Sequence, residues 1–333
     1  MKVYAIVAVW GNTKNNHAGM YYLAKQLKRN FGKDFFLIPT PTKGSRFLFP
    51  LYRLYNCLIA LFLRLRVKRN DVVFLMEYLL SETEQADIAR ILKNKCNVRG
   101  LAHLVPKRLE KGYSKEQLIK RVNYLDKLYV LGNSLKDYLV QIGICENKII
   151  TTFHYVDTEY YIPKCVTVNK PLSVICIGNM ERDYTFLLRI IKNHPDIKFN
   201  ICKGKSSLAK DFENLNNVEL FGFMKESDMR DLMQKCDISL NVMKDTIGSN
   251  VITTSLACGL VILASKVGSI EDYIENGVSG LLFNSEHECS EFLENLKKSR
   301  NDLHILKNNA VLRSKELSLP VFIKWFKKEF YVS

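Results

Sequence analysis

The chain has 333 residues, with 49 Lys plus Arg against 34 Asp plus Glu, a net charge of +15 and a pI near 9.3. A 47% apolar share excludes a disordered chain, and this length divides into two domains more readily than it grows one core. The longest uncharged apolar run, residues 54–63, is about half of what a bilayer span requires.

The N-terminus reads as a first strand, without the basic start, apolar stretch and cleavage site of a secretion signal, so a cytosolic chain is expected. Nine cysteines are scattered without a CxxC pair or metal-ligand spacing to the six His. Cys176, Cys202 and Cys258 lie in apolar runs and are expected as reduced, buried thiols. Residues 1–165 carry 27 basic and 13 acidic side chains (net +14), and residues 166–333 carry 22 and 21 (net +1). That asymmetry points to an anionic partner for the first half: a membrane surface, a phosphate-bearing lipid or a nucleic acid.

Along the chain, short β-branched and aromatic runs alternate with helical patterns, the sign of parallel sheets with crossover helices. Strands are predicted at residues 3–9, 35–38, 71–76, 98–102 and 127–130, and helices at 20–30, 83–92, 114–125 and 134–142. After a polar stretch at 163–171, a second series has strands at 173–177, 198–202, 218–221, 238–240 and 260–264. Two doubly wound α/β domains are therefore expected, 1–165 and 166–317, each binding ligands at the carboxyl ends of its strands across a shared cleft. Residues 318–333 read as an amphipathic helix, packed across the domain junction, with Val321, Trp325 and Phe326 near one face.

The segment GSNVITTSLACG, residues 248–259, runs from a Gly-rich turn into a helix and then a buried strand. Backbone N–H groups of Gly248, Ser249, Asn250 and Val251 at that helix start form a candidate diphosphate site, because first-turn donors are unpaired and the helix dipole favours anions. A Ser cap on an ordinary helix explains the same residues. In the first half, Gly11, Asn12, His17 and Gly19 lie in the loop after the first strand, where glycine admits close approach of a ligand. The GxGxxG dinucleotide fingerprint is absent there, which argues against an NAD-dependent oxidoreductase.

The order of pieces from residue 153 to 283 resembles the family-four (group 1) retaining glycosyltransferases, whose fold is the GT-B pair of Rossmann-like domains. The carrying segments are FHYVDTEYYIP (153–163), SVICIGNMERDYTFLL (173–188), NVELFG (217–222), and LACGLVILASKVGSIEDYI followed by GLLF (256–283). The resemblance implies a nucleoside diphosphate sugar, UDP or GDP more than others, held by the second domain. It also implies transfer to a saccharide or polyprenyl-diphosphate-linked acceptor in cell-surface polysaccharide or glycoconjugate synthesis, with no metal and no cofactor. Gly178 matches the family's glycine after the first strand of the second domain, and Arg182 its basic residue before the helix, for the diphosphate. The alternative for Arg182 is an exposed side chain paired with Asp183. Asn179 stands where many members have Arg, and Lys203 or Lys205 offers a further positive charge. The family's two glutamates fall at Thr246 and Thr254. Thr254, or its neighbours Thr253 and Ser255, is left to meet the ribose, and Asp245 to act near the donor sugar. His103 closes the strand VRGLAH where members carry a cleft-lining His.

Residues 44–69, GSRFLFPLYRLYNCLIALFLRLRVKR, hold six basic and no acidic side chains. On a helix, Leu54, Leu58, Leu61 and Leu65 form a stripe with Arg64, Arg66, Lys68 and Arg69 at its end, suited to peripheral contact with anionic lipid on the inner face of the cell membrane. A buried first-domain helix with a charged end is the alternative. Other readings kept open are a nucleotide-sugar epimerase, a non-catalytic partner subunit suggested by the absent glutamates, and a basic nucleic-acid-binding protein. The last lacks any nucleic-acid module, so no nucleic-acid partner is expected.

Overall fold

The computed structural model describes residues 1–11, 13–42, 49–164, 171–204 and 211–332. The chain divides into two compact units, residues 1–153 with 322–333, and residues 154–321. The expected boundary at 165 thus lies within the second unit, and most of the expected separate terminal helix belongs to the first.

Unit 1 holds β1 (Val3–Val9), β2 (Phe35–Pro41), β3 (Val72–Leu75), β4 (Asn97–Ala102), β5 (Lys127–Val130) and β6 (Ile149–Thr151), with α1 (Met20–Phe31), α2 (Phe49–Arg66), α3 (Ala86–Leu92), α4 (Pro106–Gly112), α5 (Lys115–Val122) and α6 (Asn133–Gln141). All strand pairs are parallel, in the order β2-β1-β3-β4-β5-β6. The central strands β1 and β3 are continuous apolar runs, VYAIVAV and VVFL, because helices cover both faces of such a sheet. Local chemistry sets the ends: Ser114 Oγ accepts the Gln117 N–H while Gln117 Oε1 accepts the Ser114 N–H, a reciprocal cap that starts α5.

Unit 2 holds β7 (Ser173–Ile177), β8 (Lys198–Cys202), β9 (Val218–Phe221), β10 (Ile238–Asn241), β11 (Val261–Ser265) and β12 (Gly280–Phe283), with α7 (Tyr184–Asn193), α8 (Glu226–Met233), α9 (Asn250–Ala257), α10 (Glu286–Lys298) and α11 (Arg300–Glu316). A last helix, α12 (Leu319–Lys327), carries the chain from one unit into the other. The second sheet is also parallel, in the order β12-β11-β10-β7-β8-β9. Val174, Phe199, Ile238 and Val261 from its strands pack with Ile190 and Leu293 from the helices in one core. Strand order reverses between β7 and β10, so the loops after these two strands diverge and leave a crevice at their carboxyl ends.

The expected strands are all present. The short β6, β12 and α4 were not anticipated as elements, since runs this short do not show a period. All eight described cysteines are free, and Cys176, Cys202 and Cys258 are buried as expected. In the terminal segment Ser318, Leu319, Phe322, Phe326 and Phe330 are buried, whereas Val321, expected near one face with Trp325 and Phe326, is exposed. Among the described residues no helix is long and apolar enough to cross a membrane.

Candidate functional site

The crevice of unit 2 is built from the loop after β7 and the segment after β10. Gly178 leaves β7 with φ +92°, and the chain then runs antiparallel to the other segment through a bridge between Arg182 and Met243. Asp183 N–H donates to Val242 O at 3.1 Å, and Lys244 N–H donates to Glu181 O at 2.7 Å. These bonds fix the backbone that carries Arg182.

The Arg182 side chain folds back over Gly178, where a Cβ would lie 3.2 Å from Nη2. Glycine is therefore required twice here, by its dihedral and by the guanidinium above it. Arg182 Nη1 donates to Asn241 Oδ1 at 3.1 Å. Asn241 is fully buried, and its Nδ2 donates to both Ser239 O and Ser239 Oγ at 3.0 Å, which leaves Oδ1 facing the arginine. Arg182 Nε is buried with no hydrogen-bond partner among the described residues, and desolvation lowers the guanidinium to about 10, still charged at neutral pH. The alternative pairing with Asp183 is not formed: that carboxylate caps α7, accepting the Phe186 N–H at 3.0 Å. A cation taken out of water without a counter-anion is costly, and an anionic ligand would relieve that cost.

Lys203, just after β8, lines the same depression with Gly178, Arg182, Tyr184, Cys176 and Cys202. Burial pushes both thiols up, so they stay protonated at neutral pH. Asn179 is exposed, and its Oδ1 lies 3.3 Å from the Tyr184 hydroxyl, which also donates to Gly178 O at 3.1 Å. Lys205 and Asn12 lie outside the described residues.

The start of α9 adjoins this place, with Val251 Cγ2 3.8 Å from the Cβ position of Gly178. Two of its four expected donors are already engaged. Gly248 N–H donates to Thr246 Oγ1 at 3.3 Å, and Val251 N–H donates to the cap hydroxyl Ser249 Oγ at 3.1 Å. The capping explanation therefore holds for Val251, and for Gly248 its neighbour Thr246 is the acceptor. The Ser249 and Asn250 N–H groups have no acceptor among the described residues and remain open to an anion.

The residues at the two glutamate positions face the protein. Thr254 Oγ1 donates to Asn250 O at 2.6 Å, leaving only lone pairs for a ligand hydroxyl, and the residue is buried. Thr246, also buried, is held by Gly248 N–H at its hydroxyl and by Ser269 N–H at its carbonyl, the latter at 2.7 Å. The alternatives Thr253 and Ser255 are fully buried, and Ser255 Oγ donates to Ser239 Oγ at 3.0 Å, so neither can meet a ribose. Asp245 is half-buried and accepts the Thr246 N–H at 2.8 Å.

In unit 1, Gly11 is exposed in the turn after β1 with open space around it. His103 follows the carboxyl end of β4 and is half-buried. His17 packs against Tyr22 with ring centroids 4.4 Å apart and planes tilted by 30°, and Gly19 precedes α1 as its cap residue.

Three site residues escaped sequence reasoning. Asn241 was legible only as an amide ending the apolar run ISLN, Tyr184 as a helix-start aromatic, and Tyr273 not at all, since its place over Gly248 is long-range.

Residues 171–302 match the family model described as Glycosyl transferases group 1. A curated relative, an uncharacterized 41.2 kDa protein in the cps region of Klebsiella pneumoniae, is 23% identical over 171 residues, 47% of this chain. The match spans about half (48%) of that relative's length. The Anabaena protein HepE, solved with UDP and glucose, superposes with a TM-score of 0.76 at 12% identity, covering 100% of both chains. Sucrose-phosphate synthase from Thermosynechococcus elongatus gives 0.79 at 10% identity, again over 100% of both. The lipopolysaccharide outer core galactosyltransferase WaaB gives 0.71 at 13% identity, over 100% of this chain and 99% of that one. The fold is GT-B, with two Rossmann-like units.

Proposed function

We propose that this chain, with a group 1 glycosyltransferase domain as its second unit, transfers a sugar with retained anomeric configuration from a nucleoside diphosphate sugar to a saccharide or polyprenyl-diphosphate-linked acceptor. The observation that carries this is the buried guanidinium of Arg182, charged, without a carboxylate partner, beside two open N–H groups of α9. When the bond between the anomeric carbon and the diphosphate oxygen breaks, negative charge gathers on the diphosphate. Donors already fixed in place stabilise it without reorganising. Arg182 and the Ser249 and Asn250 N–H groups are assigned to that charge, with Lys203 adding a longer-range contribution. The acceptor oxygen takes the sugar and its proton passes to the departing diphosphate, and no nucleophile of this chain is assigned.

UDP is the first nucleotide to test, because HepE was solved with UDP and with UDP-glucose. A cell-surface polysaccharide or glycoconjugate acceptor is favoured by the relative from a cps region and by the lipopolysaccharide role in the name of WaaB. His103 and Gly11, on the unit assigned to the acceptor, are proposed to line its site, and Asp245 to orient the donor sugar.

The test is a thermal-shift screen against UDP, GDP, ADP and their sugars. A ligand at a hundredfold excess over its Kd raises stability by about 2.7 kcal/mol. Arg182→Ala is expected to remove the shift and leave the fold intact; an undiminished shift would exclude Arg182 from the site. Product anomeric configuration, read by NMR, decides retention against inversion. The inward-turned Thr246 and Thr254 favour a second reading, a non-catalytic partner subunit, which predicts retained nucleotide affinity with no transfer to any acceptor.

A further inference from the structure

We propose that α2 is a docking helix that lies in the plane of an anionic lipid surface and seats unit 1 on it. The helix is 18 residues and so about 27 Å long, and its two faces are reversed relative to an ordinary surface helix. Its inward face is partly polar: Tyr52, Asn56, Ala60 and Leu63 are buried. Tyr52 Oη and Asn56 Nδ2 each donate to Thr83 O at 3.0 Å, and Arg53 grips Asp87 through two 2.7 Å bonds, fastening α2 beside α3.

The outward face is apolar. Leu51, Leu54, Tyr55, Leu58, Leu61, Phe62 and Leu65 recur at intervals of three and four along one stripe of the helix. Leu65 is 89% exposed, and all of them except Tyr55 are more than half exposed. The buried-helix alternative therefore fails at the very leucines it needed. Single exposed leucines need no explanation, but a contiguous patch along about four turns of helix marks an interaction surface.

Charge names the occupant. Arg66 stands at the border of the stripe, its guanidinium 4.6 Å from the Phe62 ring centroid. Lys68 and Arg69 follow at the same end, exposed, and none of the three has a carboxylate partner among the described residues. Arg64 donates to Ile91 O and belongs to the fastening instead. Apolar side chains flanked by unpaired cations match an interface of acyl chains beneath anionic headgroups, with long basic side chains reaching the phosphates. A second copy of the chain fits poorly. Residues 44–69 contain six basic and no acidic side chains, so pairing two such helices in either direction brings like charges together with nothing to offset them.

The inference rests on the surface of unit 1 and not on the transferase reading, so each can fail alone. The experiment is co-sedimentation with phosphatidylcholine vesicles, with and without phosphatidylglycerol, at low and high salt. Wild type is expected to pellet with the anionic vesicles, less so as salt rises. Leu58→Glu with Leu61→Glu should reduce that binding more than tenfold with an unchanged melting temperature, because both side chains are already exposed. Arg66→Gln with Lys68→Gln and Arg69→Gln should remove the preference for anionic over neutral vesicles. Vesicle binding by the leucine variant equal to wild type would overturn the proposal. So would a wild-type dimer in analytical ultracentrifugation that this variant dissolves, without vesicle binding, since the covering surface would then be a second chain.

Discussion

The ring of Tyr273 lies over Gly248 so closely that a Cβ at Gly248 would fall 2.3 Å from the phenol carbon and oxygen. Gly248 also has φ +95°, where side chains are strained. Tyr273 cannot yield easily: it is buried, and its hydroxyl accepts the His154 N–H at 2.8 Å. Gly248→Ala is therefore expected to cost about 1–3 kcal/mol of stability through overpacking and, by shifting the start of α9, to weaken UDP binding at least tenfold. Tyr273→Phe is the control. It keeps the ring, loses one hydrogen bond worth about 1 kcal/mol, and should bind nucleotide as wild type does. Calorimetric titration reads both, and full affinity in Gly248→Ala would detach α9 from the ligand.

Arg182 offers a test in which stability and binding move in opposite directions. Its guanidinium is desolvated and faces only the neutral Asn241, so the apo protein bears an uncompensated charge. Replacing buried ion pairs by apolar side chains is often neutral or stabilising by about 1–4 kcal/mol, and removal of an unpaired buried charge gains at least as much. Arg182→Met should accordingly melt at or above the wild-type temperature and lose the nucleotide-induced shift. A variant that melts well below wild type would make Arg182 a structural residue.

Much of this was readable from the chain because the information was local. Strands such as β1 and β3 are fully apolar runs, and Ser249 and Gly248 announce a helix start at the right place. What was not legible depends on where side chains end up. Thr254 keeps a hydroxyl that looks ligand-directed in sequence, yet it bonds its own helix at Asn250 O. Val251 seemed to offer a free N–H until the Ser249 side chain took it. The leucine stripe of α2 reads alike whether it faces a core or water, and only the polar anchors Tyr52 and Asn56, bonded to Thr83 O, reveal which face is inside. Which partner each polar group takes, near in sequence for Thr254 and Val251 and distant for Tyr52 and Asn56, is the missing quantity in each case.

Glu77 gives unit 1 a titration near neutral pH. It follows β3 and is buried, accepting the Ala8 N–H and, at 2.8 Å, the Trp10 indole N–H. Desolvation outweighs these bonds and raises the carboxyl to about 7. Between about 4.5 and 7 the folded protein thus keeps a proton that the unfolded chain has released. The contribution of Glu77 to stability is complete below 4.5 and declines as pH rises through 7, by roughly 3 kcal/mol at most. Glu77→Gln should flatten the melting temperature across that window and exceed wild type at pH 8. A variant keeping the wild-type slope would place the titrating group elsewhere.

The C-terminal segment is expected to hold unit 1 together. Phe326 stacks on Phe330 with centroids 3.9 Å apart and planes at 11°, and it meets Phe31, Phe35 and Phe74 of the sheet and its first helix. Beside them Arg99 lies over the Phe330 ring at 4.8 Å, while Lys127 Nζ donates to Glu329 Oε1 at 2.7 Å. Truncating one fully buried phenylalanine leaves a cavity, so Phe326→Ala should cost about 3–5 kcal/mol. Because residues 322–333 complete unit 1 while unit 2 has its own core, the loss should fall on one part of the denaturation curve. Urea unfolding of Phe326→Ala should separate into an early phase and a later one, with added nucleotide moving only the later phase. A single transition shifted as a whole would mean that the two units unfold together.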